Sequence, residues 1–167
     1  MRAIGVLLCA AVLLAAPRQS FPPLKASNLN GEEMQLPGAL AGDLNLVLIA
    51  FKREQRKNVE TWMARLPKIQ QAHPKLACYE MPVIPRLNAV TRWFIEKGIR
   101  SDIPDKNRRA HFIILFIDRE PFRNALGLTS EDHIYALLLN KQGEVAWRAE
   151  GDYSEASGQS LQEFLSR

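Results

Sequence analysis

Apolar runs of strand length alternate with segments of helical spacing along this chain. Residues 44–51, LNLVLIAF, are almost continuously apolar, the pattern of a strand covered on both faces. Residues 76–84 (LACYEMPVI), 111–117 (HFIILFI) and 134–139 (IYALLL) read as three more strands, and residues 145–148 return after a Lys141-Gln142-Gly143 turn as a fifth. Between them lie the helices. In residues 54–73, Val59, Trp62, Met63, Leu66 and Ile69 fall at i, i+3, i+4, i+7 and i+10, with Pro67 predicting a kink and Pro74 the end. Residues 88–99 read as a helix with Val90, Trp93 and Phe94 turned inward and Gly98 near its C-terminus. Residues 101–110 read as a polar loop. A short helix spans 120–126, with Pro121 in its first turn and Gly127 at its end, and a last helix spans 157–166 with Leu161, Phe164 and Leu165 inward. Before all of these, Asn30-Gly31 marks a hairpin flanked by Leu29, Met34 and Leu36.

Buried strands joined through helices need parallel crossovers, and the final strand pair adds antiparallel neighbours. The fold class is therefore α/β: a central mixed sheet of about five strands, an N-terminal hairpin, and helices on both faces. Trp62, Trp93 and Trp147 are all expected in the core.

The N-terminus reads differently. Residues 1–16, MRAIGVLLCAAVLLAA, have one basic residue, a short apolar run and a small-residue end. A membrane-spanning helix needs about 20 apolar residues, so a secretory signal peptide fits better, with an uncleaved anchor as its rival. Residues 17–26 follow as a linker and 27–167 as one folded domain. The expected location is exported, periplasmic or extracellular. With 47% apolar and 24% charged residues among 167, the chain is neither disordered nor a multispan membrane protein. Loss of the signal takes the net charge from +4 to +3, or to +2 if Arg18 goes with it. It also removes Cys9, leaving Cys78 without an internal disulfide partner. Cys78 is then either a buried small hydrophobe or a reactive thiol.

The element order resembles the thioredoxin-like superfamily in its extended redoxin form, over roughly residues 29–165. Three stretches carry the likeness: NLNGEEMQL (28–36), LNLVLIAF running into a helix, and IYALLLNKQGEVAWRAEG (134–151) before a terminal helix. Residues 122–165 further resemble the C-terminal part of the mitochondrial assembly factor for the membrane sector of the F-type ATP synthase. The matching positions are Leu126-Gly127-Leu128, residues 134–139 and Ala146-Trp147-Arg148. That family also has a thioredoxin-like fold and lacks the redox pair, so the likeness implies an assembly or chaperone role.

The superfamily's chemistry needs two thiols, two residues apart, at the N-terminus of the first long helix, where the helix dipole favours the thiolate. Here that segment reads Phe51-Lys52-Arg53-Glu54-Gln55-Arg56-Lys57-Asn58 and holds no Cys, neither a pair nor the single one of a peroxiredoxin. The cis-proline that the resemblance places before the fourth strand is replaced by Ser130-Glu131-Asp132-His133. Disulfide exchange by the family's usual route is therefore not expected. Lys52, Arg53, Arg56 and Lys57 make a basic cluster at a helix start, where cations are unfavourable. Together with Gln55, Asp132 and His133, they are the candidate site for an acidic peptide or a small anion; ion pairing on a solvated surface is the plainer alternative. Cys78 is the alternative redox thiol. Lys106, Arg108 and Arg109 form a second basic patch, a solvated loop by default and otherwise a candidate contact for acidic lipid headgroups or nucleic acid, the latter not expected of an exported protein. His73, His111 and His133 lack metal-ligand spacing, and no motif calls for a cofactor. The expectation is a redox-inactive domain acting through a protein partner, with no nucleic-acid role and with peripheral association to a membrane or membrane protein in view.

Overall fold

The computed structural model describes residues 19–167. The expected signal peptide lies outside them, as do the first two residues of the expected linker. Two short strands, β1 (Leu24–Ser27) and β2 (Glu33–Leu36), pair antiparallel around the Asn30-Gly31 turn. The main sheet contains β3 (Leu44–Ala50), β4 (Leu76–Ile84), β5 (Leu115–Phe116), β6 (Tyr135–Asn140) and β7 (Val145–Glu150), in the spatial order β5-β4-β3-β6-β7. β3 runs parallel to β4, and β4 to β5, while β6 is antiparallel to both β3 and β7. This is the mixed sheet that the crossovers demanded.

Strand periodicity divides the core into two layers. Val47, Ile49, Tyr79, Met81 and Leu137 point to one face, where they meet Phe122 and Leu126 of α5 (Arg119–Leu126). Leu46, Leu48, Cys78, Ala136 and Leu138 point to the other. There they meet Val59 and Trp62 of α1 (Arg56–Met63), Leu66 and Ile69 of α2 (Leu66–Ala72), and Leu161 of α6 (Glu155–Leu165). Both faces are covered, which explains the apolar runs in β3 and β6.

Several expectations are corrected. The long helix breaks at Ala64-Arg65, one turn before the predicted kink, and Pro67 sits in the first turn of α2, where its missing N–H is not needed. Residues 101–110 are not a loop. α3 (Ala89–Asp102) runs through Gly98, and α4 (Lys106–Ala110) follows, with the Asp105 carboxylate accepting from the Arg108 N–H as an N-cap. The third strand is only two residues long. The Leu29 N–H takes the Phe112 carbonyl at 3.0 Å, so residues 112–113 divide their bonds between β4 and the hairpin loop. Residues 19–26, expected as linker, are partly docked. Phe21 is buried edge-on against Phe122 with ring centroids 5.4 Å apart, and its N–H donates to the Gly143 carbonyl.

The largest correction concerns α3. Val90, Trp93 and Phe94 were placed inward, but they are 66%, 52% and 62% exposed, and no residue of α3 is buried. Trp62 is buried as expected, and Trp147 is half-buried against it at 6.1 Å.

Candidate functional site

The parallel strands β3 and β4 end side by side, and the chain leaves β3 through a single 3-10 turn, Arg53–Gln55, before α1 begins. Gln55 builds this corner. Its Oε1 accepts from the N–H groups of Phe51 (2.8 Å) and Lys52 (3.1 Å), and its Nε2 donates to the Glu131 carbonyl at 2.7 Å. With only 4% of its surface exposed, Gln55 fastens the β3 exit to the loop before β6 and is not available to a ligand.

That same bracket brings the predicted acids to the predicted bases. Lys52 Nζ lies 2.7 Å from Asp132 Oδ1. The hydrogen bond from Lys52, with a second from Ser130, holds the Asp132 carboxyl below the ordinary carboxylate range. Arg56 reaches across to Asp102 on α3 at 3.0 Å. His133 turns away from the cluster, with Nε2 3.1 Å from Glu150 Oε2 on β7 and its ring against Tyr135. Arg53 and Lys57 are exposed and, among the described residues, carry no ion pair or side-chain hydrogen bond. Of the candidate residues, Lys52, Gln55 and Asp132 therefore form one structural knot. Arg53 and Lys57 are the cations left open, and Arg56 is half committed to α3.

Between α1 and α3 the structure holds a cleft of about 600 Å³ that the sequence reading did not anticipate. Its floor is Ala50 of β3 with Met81, Pro82 and Ile84 of β4, and its outer wall is Phe94, Ile95 and Ile99 of α3. Lys52, Arg53 and Arg56 stand at its α1 rim. A mostly apolar concavity of this size with a few convergent charges is the usual form of a binding site. No side chain of α3 is buried.

Arg119, at the start of α5, closes the cleft from below. Its Nη2 donates to the carbonyls of Phe51 (2.7 Å) and Val83 (3.2 Å), and its Nη1 pairs with Glu131 at 3.0 Å. The guanidinium thus caps the last carbonyls of two parallel strands, where an unpaired acceptor would be costly. Sequence reasoning missed this role because nothing local distinguishes Arg119 from any other first-turn cation. Arg108 was also misplaced. It was assigned to a solvated patch, but its guanidinium forks onto the buried Glu80 carboxylate at 2.7 and 3.0 Å and onto Glu60 at 2.7 Å. Of the predicted patch of Lys106, Arg108 and Arg109, Arg108 is thus engaged by Glu80 and Glu60.

Cys78 is buried in β4 opposite Leu46, facing α1 and α2. Burial, with the Glu80 charge behind it, pushes its thiol well above the ordinary range. A thiolate is the nucleophile in disulfide exchange, and burial of this kind disfavours it. The chain has no adjacent cysteine pair. Among the described residues, no group of three or more His, Cys, Asp or Glu is placed to hold a metal, and no helix is long and apolar enough to cross a membrane.

No protein-family model matches the chain, and no curated protein matches it in sequence. Solved structures do. A candidate electron transport protein from Aquifex aeolicus VF5 superposes with a TM-score of 0.65 at 10% identity, covering 91% of this chain and 99% of that one. A thiol-disulfide oxidoreductase from Bacteroides fragilis NCTC 9343 gives 0.57 at 17% identity, covering 86% and 98%. BsSco, of the Sco family of cytochrome c oxidase assembly proteins, gives 0.57 at 14% identity, covering 89% and 93%. At these identities the likeness is one of fold. The chain has the thioredoxin-like fold, and its segment between β3 and α1, residues 51–55, holds no cysteine.

Proposed function

We propose that this chain is an exported, redox-inactive thioredoxin-like domain that acts by binding a protein partner, and that the α1–α3 cleft receives an acidic partner segment anchored by an apolar side chain. The observation that carries this reading is the combination at one rim: an apolar cleft of about 600 Å³ and the unpaired cation Arg53 at its mouth. An apolar anchor would fill the concavity between Met81 and Phe94, and carboxylates beside it would meet Arg53 and Arg56. Export rests on the reading of residues 1–16. The resemblance of residues 122–165 to the ATP synthase assembly-factor family has no counterpart among family models or curated proteins, so an assembly or chaperone role rests on that likeness alone.

The test is a labelled peptide of alternating Glu and Phe, titrated against the full chain by fluorescence anisotropy. The double variant Arg53→Ala/Arg56→Ala is expected to bind about tenfold more weakly. Because both side chains are exposed, its unfolding free energy should stay within about 0.5 kcal/mol of the parent. Equal binding by parent and variant, or none by the parent, contradicts the reading.

A further inference from the structure

Helix α3 has an anchored side and a bare side. On the anchored side, the Arg92 guanidinium lies 4.6 Å over the Phe116 ring, and Ile99 packs on the small cluster of Leu29, Ile103 and Ile114. On the bare side, Val90, Trp93, Lys97 and Arg100 follow at i, i+3, i+7 and i+10, so they form one stripe, with Phe94 beside it. Trp93 and Phe94 meet edge-on with centroids 4.9 Å apart, and Lys97 Nζ sits 4.8 Å over the Trp93 ring. Glu96, three residues after Trp93 and four before Arg100, borders the stripe as a carboxylate, and Lys97 and Arg100 outnumber it. Of the carboxylates near the ends of α3, Asp102 is tied to Arg56 and Asp118 to Arg86.

We propose that this outer face of α3 docks the domain on an anionic membrane surface. A helix lying in a bilayer interface buries its apolar face at the headgroup–acyl boundary and sets Lys and Arg at the phosphates, and that is the composition of this stripe. Trp93 suits the boundary itself, with an apolar ring and a polar N–H. Lys97 and Arg100 have alkyl stems long enough to reach the headgroups while the aromatic rings enter below them. A second copy of the chain is the weaker fit, because each such face sets two cations, Lys97 and Arg100, against one carboxylate, Glu96, and pairing two of them leaves cations opposed. A protein partner is served less well on this side. Protein anchors seat in pockets, and the cleft is lined by Phe94, Ile95 and Ile99 of α3 but not by Trp93, Lys97 or Arg100. The inference stands apart from the protein-binding reading of the cleft and does not require it.

The experiment is tryptophan fluorescence of the full chain with vesicles carrying brominated acyl chains, either phosphatidylcholine alone or phosphatidylcholine mixed with phosphatidylglycerol. Trp62 is buried and Trp147 half-buried, so Trp93 is the indole that lipid bromine can reach. The mixed vesicles should quench, salt should reverse the quenching, and Trp93→Phe should abolish it. Lys97→Ser/Arg100→Ser should raise the lipid concentration needed for half-quenching by about twentyfold. All these positions are exposed, and far-UV circular dichroism shows that each variant is folded. Absence of quenching at low salt overturns the proposal. So does quenching that survives in Trp93→Phe, or equal quenching by phosphatidylcholine alone. Binding of an acidic polypeptide through the stripe without any vesicle binding overturns it in favour of a protein docking face.

Discussion

Replacing Arg108 with Ala is expected to cost about 3–5 kcal/mol of folding stability. Glu80 lies mid-strand in β4, with its side chain only 7% exposed, and both of its oxygens are held by Arg108. The Glu80 hydrogen bond, followed by that of Glu60, raises the guanidinium pKa above its ordinary value, so the cation is present at any working pH. Removing it strands a carboxylate among apolar neighbours and also frees Glu60 on α1. Urea unfolding measures the loss. If Arg108→Ala does not fold, Arg108→Met with Glu80→Met decides the matter: removing both charges should restore most of the stability, because the large cost lies in the unpaired ion rather than in the missing bond. Lys106→Ala, two residues away and exposed, should change stability by less than about 0.5 kcal/mol. A similarly small effect of Arg108→Ala would show that the triad is a surface contact.

Gln55→Leu is the second large effect, at about 2–4 kcal/mol. Leu has similar bulk but can accept nothing from Phe51 and Lys52 and donate nothing to Glu131. Two N–H groups at the β3 exit and one carbonyl before β6 lose their partner together. The loop carrying Asp132 should loosen with them, so the Lys52–Asp132 pair at 2.7 Å should dissolve without being mutated. Hydrogen exchange of the Phe51 and Lys52 amides tests this directly: acceleration confined to residues 51–55 and 130–133 is expected. Unchanged stability and exchange would mean that water replaces the Gln55 amide.

The strands were legible because a sheet covered on both faces writes continuous apolar runs, and β4 falls on the residues that its run predicted. Helices α1 and α2 were legible through Val59, Trp62, Leu66 and Ile69, all of which are buried. α3 followed the same apolar spacing at Val90, Trp93 and Phe94 and yet faces out. Periodicity reports that a helix has an apolar face, and says nothing of whether the domain itself covers it. The cleft was illegible for the same reason, since it arises from where α3 sits and not from what α3 contains. The basic cluster stands at the β3 exit, and of its members Lys52 meets Asp132. Its internal division was not visible: Gln55 is buried, Lys52 is paired and Arg53 is open, and only the path of the backbone decides which side chain goes where. Arg108 and Arg119 show the opposite error. Arg108 was read as part of a surface patch and Arg119 was given no role, while long-range partners, Glu80 and the carbonyls of Phe51 and Val83, drew them inward.

A thioredoxin-like fold is present here without a cysteine at the start of its first long helix. An insulin-reduction assay with dithiothreitol as the reductant is the most direct test of the redox inactivity that follows, run on the full chain beside Cys9→Ser and Cys78→Ser. The account predicts the rate of dithiothreitol alone for all three proteins, because Cys78 is buried and no thiol stands at the N-terminus of α1. Turnover above that background by the parent, abolished by Cys78→Ser, would contradict it.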